Sequence, residues 1–271
     1  MSRTPLTGKT LRMARLSRPR DDRYLFVPLD HSMADGPITD EADFNQLVSD
    51  ISLGGADAIV VHKGRSRTIE PELLGGCALI VHLSASTDHA VDSDAKVLVS
   101  DVEEALRLGA DAVSVHVNVG SDTEAIQLAA LGAVASACDQ WGVPLLAMIY
   151  LRGPRVIHPN SPQQLSHMVS IAADMGADLV KTVLAAPIER MTEVTAASPL
   201  PVVVAGGDGH DMSLFDFATA AMAVGCHGLA VGRRVFTDDT PRRVVHQLAT
   251  IVHGEEFTPE TALRAHLAGT L

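Results

Sequence analysis

The chain has 271 residues, a formal net charge of −12, 46% hydrophobic residues and only 3% aromatics. That charge, with no basic stripe to set against it, excludes phosphate-backbone binding as a main activity. No stretch approaches the ~18 apolar residues of a membrane span, and the basic start MSRTPLTGKTLRMARLSRPR lacks the apolar run of a secretory signal. Cys77, Cys138 and Cys226 are widely spaced in apolar contexts, which reads as free buried thiols in a reducing, cytoplasmic compartment. With so few aromatics, the core must be built from Val, Leu, Ile, Ala and Met, a composition suited to a parallel sheet covered by helices.

Residues 7 to 17 are predicted to form a short amphipathic helix outside the pattern that follows, placed as a lid or a subunit contact. The first apolar strand, Tyr24 to Leu29, runs directly into Asp30-His31-Ser32. A helix over about 40 to 53 ends at Gly54-Gly55 and leads to the strand Ala58–His62. Cys77–His82 is the third strand, and a helix from about Val102 to Gly109 precedes the fourth, Ala112–His116. A long helix over 122 to 141 leads to Val143–Tyr150, and a helix over Pro162–Met175 delivers Gly176-Ala-Asp-Leu-Val-Lys181-Thr182. Then come a helix over 187 to 197, the strand Leu200–Ala205, a helix over 212 to 224 and the strand Gly228–Gly232. Two closing helices are expected at 240 to 253 and 259 to 268.

Gly-Ala-Asp recurs at 55, 109 and 176, with a relative at 225. In each case glycine supplies a left-handed helix cap and the aspartate stands at the start of the next strand. Eight strands, most followed by a helix and with no natural boundary between them, predict a (β/α)₈ TIM barrel. The domain is expected to cover 1–271, with the barrel at about 22–255 and extra helices at both ends. An open doubly wound sheet is the other arrangement compatible with the pattern.

Active sites of such barrels lie at the C-terminal ends of the strands. Asp30, His62, His82, His116, Tyr150, Lys181, Gly206-Gly207 and Gly232-Arg233 all fall there, whereas the opposite ends carry the Gly-Ala-Asp turns. A lysine inside an apolar strand is costly as a cation, and desolvation favours the neutral amine that a Schiff-base nucleophile needs. The plainer alternative is a lysine that reaches solvent or pairs with a carboxylate. Glycine pairs after the last two strands, with Arg233, suit a phosphate held by backbone N–H groups. His62, His82 and His116 end adjacent strands and are compatible with a three-histidine zinc site, the alternative to imine chemistry. No carboxylate–histidine spacing accompanies them, so they are expected to be polar lining or hydrogen-bonded core groups, with no metal and no cofactor. Lys63 lies in a loop beside Arg65 and Arg67, where a solvated or phosphate-facing role is expected.

Several motifs taken together resemble one family. They are Val27-Pro-Leu-Asp30-His31, Val61-His-Lys-Gly64, Leu79-Ile-Val-His-Leu-Ser84, the run Gly109 to Gly120, Ala147-Met-Ile-Tyr150, Asp178-Leu-Val-Lys-Thr182, Val203-Val-Ala-Gly-Gly207 and Ala230-Val-Gly-Arg233. Their order over residues 9 to 255 resembles the archaeal-type class I aldolases of the DhnA family. The resemblance implies Lys181 as the Schiff-base lysine, with Tyr150 and Asp30 as acid/base groups. It also implies His31, Arg152, Gly206, Gly207, Gly232 and Arg233 as substrate and phosphate contacts. Phosphorylated ketose and aldehyde substrates and a large homo-oligomer, a decamer in this family, are implied as well.

Within the family the likeness is to members that use L-aspartate 4-semialdehyde. The stretch His82 to Thr87, with Ala95-Lys96, leans toward those that join it to dihydroxyacetone phosphate, making a 3-amino-4-hydroxybenzoate precursor. A transaldol reaction on the route to dehydroquinate and a fructose-bisphosphate aldolase are alternatives, as is an inactive phosphosugar-binding barrel. Leu151, Val183-Leu184, Arg234 and Gly207-Asp-Gly-His210 depart from the family pattern. All of them border the expected substrate position and bear on donor and acceptor choice.

Overall fold

The apolar runs become the staves of a closed barrel in the computed structural model, which describes residues 7–207 and 212–254. The strands are β1 (Tyr24–Pro28), β2 (Ala58–His62), β3 (Ala78–His82), β4 (Ser84–Ala85) and β5 (Val97–Leu98). They continue with β6 (Ala112–Val119), β7 (Leu145–Leu151), β8 (Leu179–Thr182), β9 (Val202–Ala205) and β10 (Gly228–Ala230). All but β4 and β5 form one parallel ring in the order β1-β10-β9-β8-β7-β6-β3-β2. This is the (β/α)₈ barrel expected from the alternating pattern.

Strand alternation sorts the side chains into two cores. Tyr24, Phe26, Ala58, Val60, Ala78, Ile80, Leu146, Met148, Leu179 and Val203 fill the interior. Their neighbours Leu25, Val27, Ile59, Val61, Leu145 and Val180 point outward and pack under the helices. Continuing the interior parity toward the C-terminal ends brings up His62, His82, His116, Tyr150 and Lys181. The polar groups therefore form the top layer of an otherwise apolar bore.

The first helices are α1 (Gly8–Met13), α2 (Phe44–Gly54), α3 (Lys63–Ser66), α4 (Pro71–Leu74), α5 (Val102–Arg107) and α6 (Glu124–Trp141). After them come α7 (Pro162–Asp174), α8 (Met191–Ala197), α9 (Leu214–Ala223), α10 (Arg233–Phe236) and α11 (Pro241–His253). Two departures from the expected rhythm stand out. Single-turn α3 and α4 follow β2 in place of one long helix, and an antiparallel arm, β4 with β5, is inserted before α5. The helix expected over 259 to 268 lies outside the described residues.

The Gly-Ala-Asp turns have a mechanical explanation. Gly55, Gly109 and Gly176 take φ of 96°, 85° and 89°, the left-handed conformation that ends each helix without a Cβ clash. The aspartate that follows clasps the preceding strand with both its backbone and its side chain. Asp57, Asp111 and Asp178 donate their N–H groups to the carbonyls of Leu25, Leu79 and Leu145, each at 2.9 Å. Their carboxylates accept the N–H groups of the same residues at 2.6, 3.2 and 2.9 Å. At Gly225 the clasp is made by His227, whose Nδ1 accepts from the Val202 N–H at 3.3 Å.

The N-terminal segment closes this end of the barrel and so lies at the floor, remote from the strand C-termini. Leu16 is fully buried with Tyr24 and Phe26, while Lys9 pairs with Asp178 at 3.1 Å and Arg15 with Asp111 at 3.0 Å. From α11, His253 bridges Asp21 and Asp57, with its Nε2 3.1 Å from the Asp57 carboxylate.

Candidate active site

The nine residues singled out as site candidates come together. Asp30, His31, Tyr150, Arg152, Lys181, Gly206, Gly207, Gly232 and Arg233 line one cavity of about 350 Å³ at the C-terminal mouth. That volume is at the lower end of the ~300–1,000 Å³ of small-molecule sites and suits a sugar-phosphate-sized ligand.

Lys181 shares the interior parity of Leu179 and is only 8% exposed. Its Nζ lies 3.8 Å from the Met148 thioether, the residue paired with it across β7 and β8. Among the described residues no carboxylate stands within ion-pair distance of it, so neither solvent exposure nor an ion pair explains its position. Tyr150 sits one interior step above Met148. Its ring lies against His116 with centroids 4.9 Å apart, and the Arg152 guanidinium lies over it, 4.7 Å from the ring centroid. The Tyr150 hydroxyl has no hydrogen-bond partner among the described residues and opens into the cavity.

Asp30 follows β1, held where the Leu29 N–H continues the ladder to the Val60 carbonyl at 2.7 Å. Burial by itself raises its carboxyl, but the charges of His82, Lys181, His31 and His62 outweigh this and bring it down to about 2. Burial also holds His82 at about 4, lowers His31 and His62, and takes His116 well below the usual imidazole value. At neutral pH these rings are therefore uncharged, and Asp30 is the ionised group among them.

The histidines divide into two sets. His82 Nδ1 bonds Ser114 Oγ at 2.8 Å, its Nε2 lies 3.9 Å from Asp30, and its ring centroid is 5.2 Å from that of His62. His116 turns away onto Tyr150 and bonds Asn118 Oδ1 at 2.8 Å. Among the described residues, no three His, Cys, Asp or Glu side chains are grouped to share a metal ion. Of the two roles expected for Lys63, the solvated one fits: its side chain is 38% exposed, outside the cavity, and tied to Glu104 at 3.0 Å.

The glycines of β9 and β10 play different parts. The Gly206 N–H is already bonded to the Ala230 carbonyl at 3.0 Å, and a Cβ there would lie 3.0 Å from the Val231 methyls. Gly206 is thus a packing glycine. At Gly232 a Cβ would strike the His31 ring and approach the Pro28 carbonyl to 2.6 Å, so only glycine lets the main chain line the cavity here.

Two further features were not evident from sequence. Of the pair Val183-Leu184, only Val183 lines the cavity; Leu184 is packed in the outer core. The β4–β5 arm brings Ser84, Ser86 and Lys96 to the cavity wall. Residues 86 to 96 are polar and aperiodic, so nothing marked Lys96 as a site residue beyond its place in a familiar motif.

Residues 24–238 match the DeoC/LacD family aldolase profile. The chain is 48% identical over 248 residues to 2-amino-4,5-dihydroxy-6-oxo-7-(phosphonooxy)heptanoate synthase of Streptomyces griseus, covering 91% of this chain and 90% of that one. It is 39% identical over 257 residues to 2-amino-3,7-dideoxy-D-threo-hept-6-ulosonate synthase of Halobacterium salinarum, covering 94% and 95%. An archaeal fructose 1,6-bisphosphate aldolase has the same fold, with a TM-score of 0.82 at 24% identity over 91% of this chain and 100% of that one.

Proposed function

We propose, for a chain that belongs to the DeoC/LacD aldolase family, a Schiff-base condensation of dihydroxyacetone phosphate with L-aspartate 4-semialdehyde. The product would be 2-amino-4,5-dihydroxy-6-oxo-7-(phosphonooxy)heptanoate, the compound named in the Streptomyces griseus relative. The observation that carries the mechanism is Lys181, a buried amine with no ion-pair partner among the described residues, facing the same cavity as Tyr150 and Asp30.

Lys181 Nζ attacks the donor ketone, and loss of water from the carbinolamine leaves an iminium ion. The iminium acts as an electron sink, so a proton leaves the adjacent hydroxymethyl carbon and an enamine forms. Tyr150 is the better-placed proton carrier, because its hydroxyl is free and Arg152 lies over its ring. Asp30, held at about 2, is a weak base and a lasting anion; it accepts hydrogen bonds from substrate hydroxyls and stabilises the iminium. The enamine carbon then bonds to the aldehyde carbon, the new alkoxide takes up a proton, and water releases the product from Lys181.

The donor phosphate is assigned to the wall formed by Gly207, Gly232 and Arg233, where Gly232 brings main chain to the cavity surface. The 39% identity to the Halobacterium salinarum enzyme favours a transaldol reaction as the second reading. In either case the protein acts as a cytoplasmic homo-oligomer, a decamer on the family resemblance.

Borohydride reduction with dihydroxyacetone phosphate, followed by peptide mass spectrometry, tests the mechanism. The expected result is a reduced three-carbon phosphate adduct on Lys181. An unmodified Lys181 in a protein that still turns over would overturn it.

A further inference from the structure

The cavity has a second cationic wall that the donor does not use. Lys96 is half-buried; burial lowers its pKa, Arg152 lowers it further, and Asp94, Asp88 and Asp30 act the other way. Its Nζ bonds Ser86 Oγ across the arm. Among the described residues neither Lys96 nor Arg152 has a carboxylate within ion-pair distance. Two adjacent cations at a cavity wall, in a protein of net charge −12, leave an anion-shaped gap in the electrostatics.

The position of Lys96 is enforced by buried amides. Asn118, fully buried, donates from Nδ2 to the Asp94 carbonyl at 2.9 Å. Gln127, 1% exposed, donates from Nε2 to the same carbonyl at 2.8 Å and accepts the Asn118 N–H at 2.8 Å. Val99 N–H meets the Leu83 carbonyl at 2.8 Å at the base of the arm. Two buried side chains thus fix one main-chain carbonyl two residues before Lys96, an arrangement suited to holding a functional group in register.

Barrel order supplies the direction. In the ring, β9 and β10 stand opposite β3 and β6, the strands that flank the arm, and β8 lies between the two walls. Lys181 therefore has the Gly207–Gly232–Arg233 wall on one side and the Lys96–Arg152 wall on the other. An aldol acceptor must approach from the side away from the donor phosphate.

We propose that Lys96, delivered by the β4–β5 arm, binds the carboxylate of the acceptor aldehyde and selects anionic over neutral aldehydes. The inference rests on the proposed aldol reaction, whose donor half is read separately by imine trapping.

The test compares succinate semialdehyde with butyraldehyde, which differ by the carboxylate, on wild type, Lys96→Met and Lys96→Arg. In Lys96→Met, kcat/KM for succinate semialdehyde should fall about 30-fold, mostly through KM, as expected for loss of a charge-assisted contact. Turnover of butyraldehyde and trapping of dihydroxyacetone phosphate on Lys181 should stay within about twofold, and Lys96→Arg should recover most of the loss. Affinity for 4-hydroxybutyrate, an unreactive carboxylate analogue, should weaken about tenfold in Lys96→Met without any need for turnover. Equal losses for both aldehydes, or unchanged 4-hydroxybutyrate binding, would overturn the role of Lys96. Absence of trapping in wild type would instead overturn the proposed donor chemistry.

Discussion

At the floor of the barrel, Asp57 takes an amide from Leu25 and an imidazole from His253, and Asp178 takes an amide from Leu145 and the ammonium of Lys9. At the mouth, Lys181, Lys96 and Arg152 face a common cavity with no carboxylate in ion-pair reach among the described residues. Both ends use the same strands and the same alternation, so the difference is in partners. Charges paired with opposite charges or strand amides hold the strands in register, whereas cations with no carboxylate in reach are available to a ligand. The two buried aspartates differ in the other direction: burial leaves Asp57 raised despite His253, while the charges of His82, Lys181, His31 and His62 bring Asp30 down to about 2.

This contrast is easiest to break at Lys181. Lys181→Met should reduce aldol turnover by ~10⁴-fold or more, while urea unfolding shows only a small change in stability, since no ion pair is broken and Asp30 loses one of several compensating charges. A variant that retained turnover within tenfold of wild type would remove the distinction between the two ends.

The converse change is Asp57→Ala at the floor. It should cost ~3 kcal/mol in equilibrium unfolding, because it strands His253 and the Leu25 N–H. Turnover per folded molecule should stay within about twofold, measured after correction for the folded fraction.

The smallest effect concerns acid stability. Because the folded-state pKa of Asp30 is lowered, its contribution is present above its ordinary value and is lost as pH falls toward about 2. His82, held neutral by burial at about 4, loses its contribution earlier, between about pH 6.5 and 4. Asp30→Asn should therefore flatten the stability profile between about pH 4 and 3 by ~1 kcal/mol and, because the Asp30 charge raises His82, move the upper window toward lower pH. Urea midpoints collected from pH 3 to 7 would show it; a change confined to the upper window would mean that Asp30 is not the group held ionised.

Much of this was legible in the chain because the signals were repeated or solitary. Gly-Ala-Asp appears three times at the same point of the βα rhythm, and Lys181 is a single cation in an otherwise apolar strand. The β4–β5 arm was hidden, since strands of two residues cannot show an alternation. Lys96 was correspondingly invisible as a site residue, because its placement depends on Asn118 and Gln127 from a different βα unit. The roles of Val183 and Leu184 depended on parity: adjacent strand-end residues face opposite ways, and only Val183 continues the line of Lys181. Gly206 has the same sequence signal as Gly207, and only the barrel pairing commits its N–H to Ala230.

The floor clasps have a consequence for how the barrel assembles. They join β1 to β2, β3 to β6, β7 to β8 and β9 to β10, so each ring strand belongs to one clasped pair. The bonded residues are separated by 32, 32, 33 and 25 positions along the chain. The barrel is thus a tandem of four quarter-units whose internal shear is set by contacts of low contact order. The seam where Tyr24 meets Gly228 is the strand pairing of longest sequence separation among the described residues, and loop-closure entropy is concentrated there. New chain ends placed between quarter-units, such as within residues 64 to 76, leave all four clasps intact and relocate only that seam.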